Sequence, residues 1–287
     1  MNADFELVMP GSLDGALEAL AAPGAPPRPL AGGTNLLVEV RAGRERPAAL
    51  LAVGGLEALR GIEAGTEQVR VGAGTTVSDL LRHPEPAAIG TALLAAAGVF
   101  AGQMVRNAAT VGGNLCHGSP AADLVPPLLA LDAEVELASH AGKRTVALDE
   151  FFLDYRETAR RPDELLSAIR WPRPAAGAAQ RFYKLARRKG DAITVTGVAV
   201  ALELAEGRCR RVRIALGAVA PTVLRAREAE ALLEGEEPSA ARIEAAARAA
   251  AAAARPIDDV RASARYRRHA VGVLTRRLLT QARDQII

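Results

Sequence analysis

The alternation of apolar and polar positions divides the chain into short strands and helices that interleave in its first half and segregate in its second. "FELVM" and the run around "ALLAV" read as strands, and "SLDGALEAL" between them reads as a helix opened by Ser12. A Pro-rich connection and the glycine loop "LAGGTNLLVEVRAG" complete an α/β unit, predicted over residues 1–55. A second unit, predicted over 56–175, begins with a strand at Val69 to Val71, a glycine turn, and a helix capped by Thr76 or Ser78. Within it, "TALLAAAGVFAG" has the apolar density of a buried helix, and "AEVELASHAGKRTVAL" alternates and turns at Gly142 like a hairpin. Between those two lies "ATVGGNLCHGSPAADL", residues 109–124, predicted to be a loop.

Pro172, Pro174 and the small residues to Ala179 read as a linker to a third unit over 178–287. That unit opens with two alternating strands around Glu206-Gly207 and closes with two helices. One helix runs from about Ser239 to Arg255 and is stopped by Pro256; the other starts at Ser263 with Val271, Leu274, Leu278 and Leu279 at helical spacing. The whole is predicted to be α+β (mixed α/β), with two α/β subdomains followed by a sheet backed by late helices.

Composition narrows the function classes. With 49% apolar and 24% charged residues in 287, the chain has the makeup of a folded globular protein. No apolar run reaches the roughly 20 residues that span a bilayer. The N-terminus carries Asp4 and Glu6 where a signal peptide carries Lys or Arg, so a cytoplasmic location is expected. The net charge of +3 is scattered and only 3% of residues are aromatic, which argues against nucleic acid. Two cysteines, Cys116 and Cys209, suit a reducing compartment and cannot alone ligate an iron–sulfur cluster or zinc in a four-cysteine site.

The candidate chemistry sits in two glycine segments, Ala31-Gly32-Gly33-Thr34-Asn35 and Thr110-Val111-Gly112-Gly113-Asn114. A glycine pair can turn its amides outward and admit a diphosphate to the backbone, and Thr34, Asn35, Thr110 and Asn114 can add side-chain hydrogen bonds. Taken singly, each segment reads as an ordinary tight turn; the two together, each beside polar donors in adjoining units, point to one shared ligand. Neither matches a dinucleotide fingerprint or a P-loop. Cys116 and His117 are adjacent in sequence, so their side chains diverge, and neither a metal site nor a cysteine nucleophile is expected; His117 could still lie near a ligand. Asp123 can accept from sugar or ribityl hydroxyls or cap a helix. Tyr183-Lys184 can serve a flat redox ring or form an ordinary edge strand.

Together these segments resemble one family, the FAD-binding medium subunits of molybdenum hydroxylases, which include the flavin subunits of carbon monoxide dehydrogenase and xanthine dehydrogenase. "AGGTNL" resembles its first flavin loop and "VRNAATVGGNLCHGSPAADLVP" its second; "YKLARRKGDAITV", "LGAVAPTVLRAREAEALLEG" and "ASARYRRHAVGVLTRRLL" are similar to its C-terminal segments. The resemblance implies a two-subdomain FAD-binding region of the PCMH type and a further α+β domain. It also implies diphosphate contacts from Ala31 to Asn35 and from Thr110 to Asn114, FAD contact at Asp123, and positions against the flavin for Phe100, Lys184 and Ile193. FAD would be non-covalent. Electrons would come from a large molybdenum-cofactor subunit through a small iron–sulfur subunit carrying 2Fe-2S clusters, in a dimer of heterotrimers, and leave to an external acceptor. No acid–base pair is then required in this chain, and the extra cysteine-ligated cluster of some members is not expected. A free-standing FAD oxidoreductase or a flavin-free scaffold are the rival readings.

Overall fold

A computed structural model describes residues 5–287; Asp4, used above in the leader argument, lies outside them. The first three strands, β1 (Glu6–Val8), β2 (Arg28–Leu30) and β3 (Ala49–Ala52), form a parallel sheet in the order β1-β3-β2, with Leu7 opposite Leu50 and Leu30 opposite Ala52. Parallel neighbours need crossovers, and two helices supply them: α1 (Leu13–Ala21) and α2 (Leu36–Arg41). Ser12 caps α1 by accepting from the Gly15 amide. Its buried face, Ala16, Leu17 and Leu20, packs with Leu51, Val53 and, from farther along the chain, Ala138 and Leu165. The small first sheet therefore completes its core with residues of the second.

After the single 3-10 turn Glu57–Leu59 come β4 (Ile62–Ala64) and β5 (Gln68–Gly72). Six short helices follow: α3 (Val77–Arg82), α4 (Pro86–Ile89), α5 (Thr91–Gly98), α6 (Gln103–Ala108), α7 (Val111–Cys116) and α8 (Val125–Ala130). Strands β6 (Glu134–Ser139) and β7 (Gly142–Ala147), helix α9 (Leu148–Phe151), the small ribbon β8 (Phe152–Asp154) with β9 (Glu157–Thr158), and β10 (Leu165–Pro172) complete the second unit. Its sheet is antiparallel in the order β4-β5-β10-β6-β7.

Four expectations change here. Residues 36–41 leave the predicted loop and form α2. Thr110 to Asn114 is also no loop: Thr110 is the N-cap of α7, accepting from Gly113, so the glycine pair lies in a helical first turn. The hairpin turns on His140-Ala141, with Gly142 already in β7 opposite Ser139. The central strand β10 went unread because "LLSAIRWP" is buried on both faces and so does not alternate. Of the two caps offered for α3, Thr76 is the one used, in a reciprocal pair with Asp79.

The third sheet, β11 (Ala179–Ala186), β12 (Thr194–Ala205), β13 (Arg208–Gly217) and β14 (Leu224–Arg225), is antiparallel in that order. Glu206 and Gly207 are both left-handed (φ 51° and 76°), as a two-residue hairpin turn requires. After α10 (Arg227–Ala231) come helices α11 (Ala240–Ala253, capped by Ser239) and α12 (Ala264–Ile286, capped by Ser263); α12 packs on one face of the sheet, against β11 and β12, and α11 packs on α12. Val271, Leu274, Leu278 and Leu279 are buried there with Val198, Val200 and Ile214. The other face meets α5 and α8 of the second unit.

Candidate functional site: a glycine-walled cleft

The two glycine segments meet where the first sheet abuts the second unit. A Cβ on Gly32 would lie 1.9 Å from the Ala108 carbonyl oxygen, and one on Gly112 would lie 2.6 Å from the Ala73 Cβ. Both glycines thus let protein backbones touch each other, and Gly33 is left-handed at φ 69°. The turn after β5 grips the second segment further: Val111 N–H donates to the Thr75 carbonyl at 2.9 Å and Gly112 N–H to the Ala73 carbonyl at 2.8 Å.

A count of backbone donors separates the segments. In the second, the amides of Val111, Gly112, Gly113 and Asn114 are all satisfied internally, the last two by the Thr110 hydroxyl and carbonyl. In the first, the amides of Ala31 to Asn35 have no acceptor among the described residues. Ala31 to Thr34 are half-buried, where amides rarely stay unpaired, so the first segment is the donor face. The second contributes side chains. The Asn114 Oδ1 is occupied by the Leu124 amide at 3.3 Å, which turns its amide nitrogen to other use, and the Thr110 hydroxyl proton has no acceptor among the described residues.

Between the segments lies a cavity of about 220 Å³ lined by all of Ala31 to Asn35, by Thr110, Gly112, Gly113 and Asn114, and by Phe100. Val53, Leu59, Leu165 and Leu166 give it an apolar wall, and Arg28, Arg156 and Arg160 give it positive charge. Its one carboxylate among the described residues is Glu39 on α2, with Arg156 Nη2 2.7 Å and His117 Nε2 3.6 Å from Oε1. Burial raises the Glu39 carboxyl, but the Arg156 guanidinium outweighs it and holds the group below the usual carboxylate range. Burial and the same guanidinium depress His117, keeping the imidazole neutral at physiological pH. Cys116 also lines the cavity, its thiol pushed up by burial and therefore unreactive. Glu39, Arg28, Arg156 and Arg160 were not singled out from sequence: Glu39 is embedded in the apolar run "LLVEV", and only the fold brings Arg156 to it.

Asp123 and Lys184 form a separate cluster. Lys184 Nζ lies 2.6 Å from Asp123 Oδ2, and the Thr194 hydroxyl donates to Oδ1 at 2.5 Å. Burial pushes the Asp123 carboxyl up, against the pull of Lys184 and Thr194. Lys184 lies in the edge strand β11, and Ile193, the residue before Thr194, is 55% exposed. Asp123, Lys184, Thr194 and Ile193 do not line the cavity, nor does the buried Val111. The link between the two groups is Phe100: it lines the cavity, and its neighbour Val99 offers a carbonyl 3.5 Å from Lys184 Nζ. Among the described residues no cluster of His, Cys, Asp and Glu could hold a metal ion.

Residues 3–174 match the family model described as the FAD binding domain in molybdopterin dehydrogenase, and residues 181–282 that of the CO dehydrogenase flavoprotein C-terminal domain. The carbon monoxide dehydrogenase medium chain of Hydrogenophaga pseudoflava is 34% identical over 278 residues, covering 97% of this chain and 96% of that one. The carbon monoxide dehydrogenase structure from the same organism superposes with a TM-score of 0.95 at 35% identity over 99% of both chains. Quinoline 2-oxidoreductase from Pseudomonas putida 86 superposes with a TM-score of 0.92 at 29% identity, over 100% of this chain and 99% of that one. With both halves of the chain matched and the fold shared throughout, this chain belongs to the FAD-binding medium-subunit family of the carbon monoxide and xanthine dehydrogenases.

Proposed function

We propose that the chain binds FAD non-covalently in the cleft between its first and second units and passes electrons within a molybdenum hydroxylase. The observation that carries this is the row of unpaired amides from Ala31 to Asn35, facing Thr110 and Asn114 across a cavity walled by glycine. Those donors fit a diphosphate: the amides and the Asn114 amide nitrogen can donate to its oxygens, and Arg28, Arg156 and Arg160 offset its charge. The apolar wall of Leu59, Leu165 and Leu166 fits a flat adenine or flavin ring. When bound, FAD supplies the one- and two-electron chemistry.

The protein's tasks are then holding and tuning. Phe100 and Ile193 would lie against the flavin, with Lys184, held by Asp123 and Thr194, setting the charge beside it. With the chain divided at 1–55, 56–175 and 178–287, the diphosphate would lie between the first two units and the flavin toward the third. Electrons would arrive from a small subunit with 2Fe-2S clusters, itself served by a large molybdenum-cofactor subunit, in a dimer of heterotrimers. An external acceptor would take them from the flavin. A cytoplasmic location accords with this assembly. The relatives, named as medium chains and subunits, support the partners.

Isolation of the chain from its source with native partners tests the assembly: the complex should contain molybdenum and iron. Its flavin absorbance should bleach when a substrate of the large subunit is added without acceptor. A flavoprotein that purifies alone and turns over its own substrate contradicts the assignment.

A further inference from the structure

A carboxylate is out of place in a cavity whose other charged groups are the guanidinium groups of Arg28, Arg156 and Arg160. Glu39 is 7% exposed, lies one turn into the helix that follows the free-amide loop, and repels any oxyanion held there. A carboxylate accepts hydrogen bonds and donates none, so the partner that suits it in such a cavity is a hydroxyl. Of its two oxygens, Oε1 faces both Arg156, 2.7 Å from Nη2, and His117, 3.6 Å from Nε2, which leaves Oε2 to a further donor.

The surroundings hold this carboxylate in place. Arg156 sits in the β8–β9 turn in a left-handed conformation, φ 59°, which costs an L residue energy and persists only where neighbours enforce it. They do: the Arg156 amide donates to the Gly118 carbonyl at 3.0 Å, and Gly118 lies so close that a Cβ there would be 2.8 Å from the Arg156 Cα. The guanidinium also stacks over the Tyr155 ring at 5.6 Å. Beside the pair, His117 Nε2 is buried without a hydrogen-bond partner among the described residues, 3.6 Å from Glu39 Oε1.

We propose that Glu39 recognises a hydroxyl of a vicinal pair on the bound dinucleotide, with His117 Nε2 taking the neighbouring hydroxyl and Arg156 acting as the positioning residue. The proposal rests on the FAD reading above and deepens it. FAD carries vicinal hydroxyls in two places near its diphosphate, the adenosine ribose and the ribityl chain. The site would read one of them, and the Glu39–Arg156 pair would also close the cleft from α2 to the β8–β9 turn.

The test is an equilibrium titration of the full-length apo chain, by flavin fluorescence, with FAD and two analogues. One analogue lacks a hydroxyl of the adenosine ribose; the other lacks one of the ribityl chain. The wild-type chain should bind one analogue about tenfold or more weakly than FAD, since a hydrogen bond to a charged group is lost. Glu39→Ala should bind FAD more weakly by a similar factor and no longer distinguish that analogue from FAD. Arg156→Ala should lose most of the distinction, and Arg156→Lys should recover part of it. A purely structural role would weaken all three ligands equally and leave their ratios unchanged, which would overturn the proposal. So would a wild-type chain that binds FAD and both analogues alike. A folded wild-type chain that binds no FAD would remove the cofactor reading and this one with it. Should Glu39→Ala fail to fold by circular dichroism, Glu39→Gln and Arg156→Ala carry the comparison.

Discussion

At the scale of single residues, the cleft separates glycines that serve the protein from donors that serve a ligand. Valine at Gly112 is a natural probe of diphosphate approach, but its Cβ would strike Ala73 first, so lost FAD in that variant would report misfolding as readily as a blocked site. Gly32→Ala should be worse still: a methyl 1.9 Å from the Ala108 oxygen must part the two segments. We expect it to cost about 3 kcal/mol by thermal denaturation of the apo chain. Asn114→Asp is the cleaner probe. The aspartate keeps an acceptor for the Leu124 amide but puts an anion where the structure has a donor. It should leave the melting temperature of the apo chain within a few degrees while weakening FAD at least tenfold, and undiminished affinity would remove Asn114 from the site. The glycine pairs and their flanking Thr and Asn were visible in the sequence because their chemistry is local. His117 stood beside the second glycine segment as a residue that could lie near a ligand, whereas Glu39 and Arg156 come from distant segments and no spacing announces them.

At the scale of elements, helix boundaries set by side-chain caps were readable. Ser12, Ser239 and Ser263 all cap where their position before an apolar run suggested. Helix α7 was not, because two glycines in six residues oppose a helix by about 1 kcal/mol each. It forms through tertiary bonds: the Ala73 and Thr75 carbonyls take the amides of its first turn, and the Thr110 cap adds about 1 kcal/mol. Another element junction offers a test by pH. Asp132, just past α8, receives Arg211 at 2.5 Å and Arg213 at 2.9 Å from β13 and Arg225 at 2.7 Å from β14. Burial raises the Asp132 carboxyl, yet the three guanidinium groups prevail and hold it below the ordinary value. A carboxyl lowered on folding contributes stability above its unfolded pKa and loses it as pH falls through the folded one. Asp132→Asn should therefore cost about 2 kcal/mol near neutral pH, and the gap in melting temperature should close on acidification below about pH 4. A constant gap down to pH 2.5 would exclude charge as its source.

At the scale of the whole molecule, the order of three sheets along the chain followed from the change in apolar pattern, and the family from the two glycine segments and the C-terminal motifs. What the pattern could not convey was how the units share cores: α1 leans on Ala138 and Leu165 of the second unit, and the third sheet lies on α5 and α8. The cleft owes its walls to that sharing, since its lining comes from β2, α7, the β8–β9 turn and β10. With Cys116 and Cys209 as the only cysteines, metal analysis of the isolated chain should find no iron, and four irons per chain would contradict the division of cofactors among subunits. The most direct measurement is the flavin content of the purified, folded chain, read by absorbance before and after denaturation. One FAD per chain is expected, released intact into solution on denaturation. A folded chain that is colourless and takes up no added FAD would contradict it.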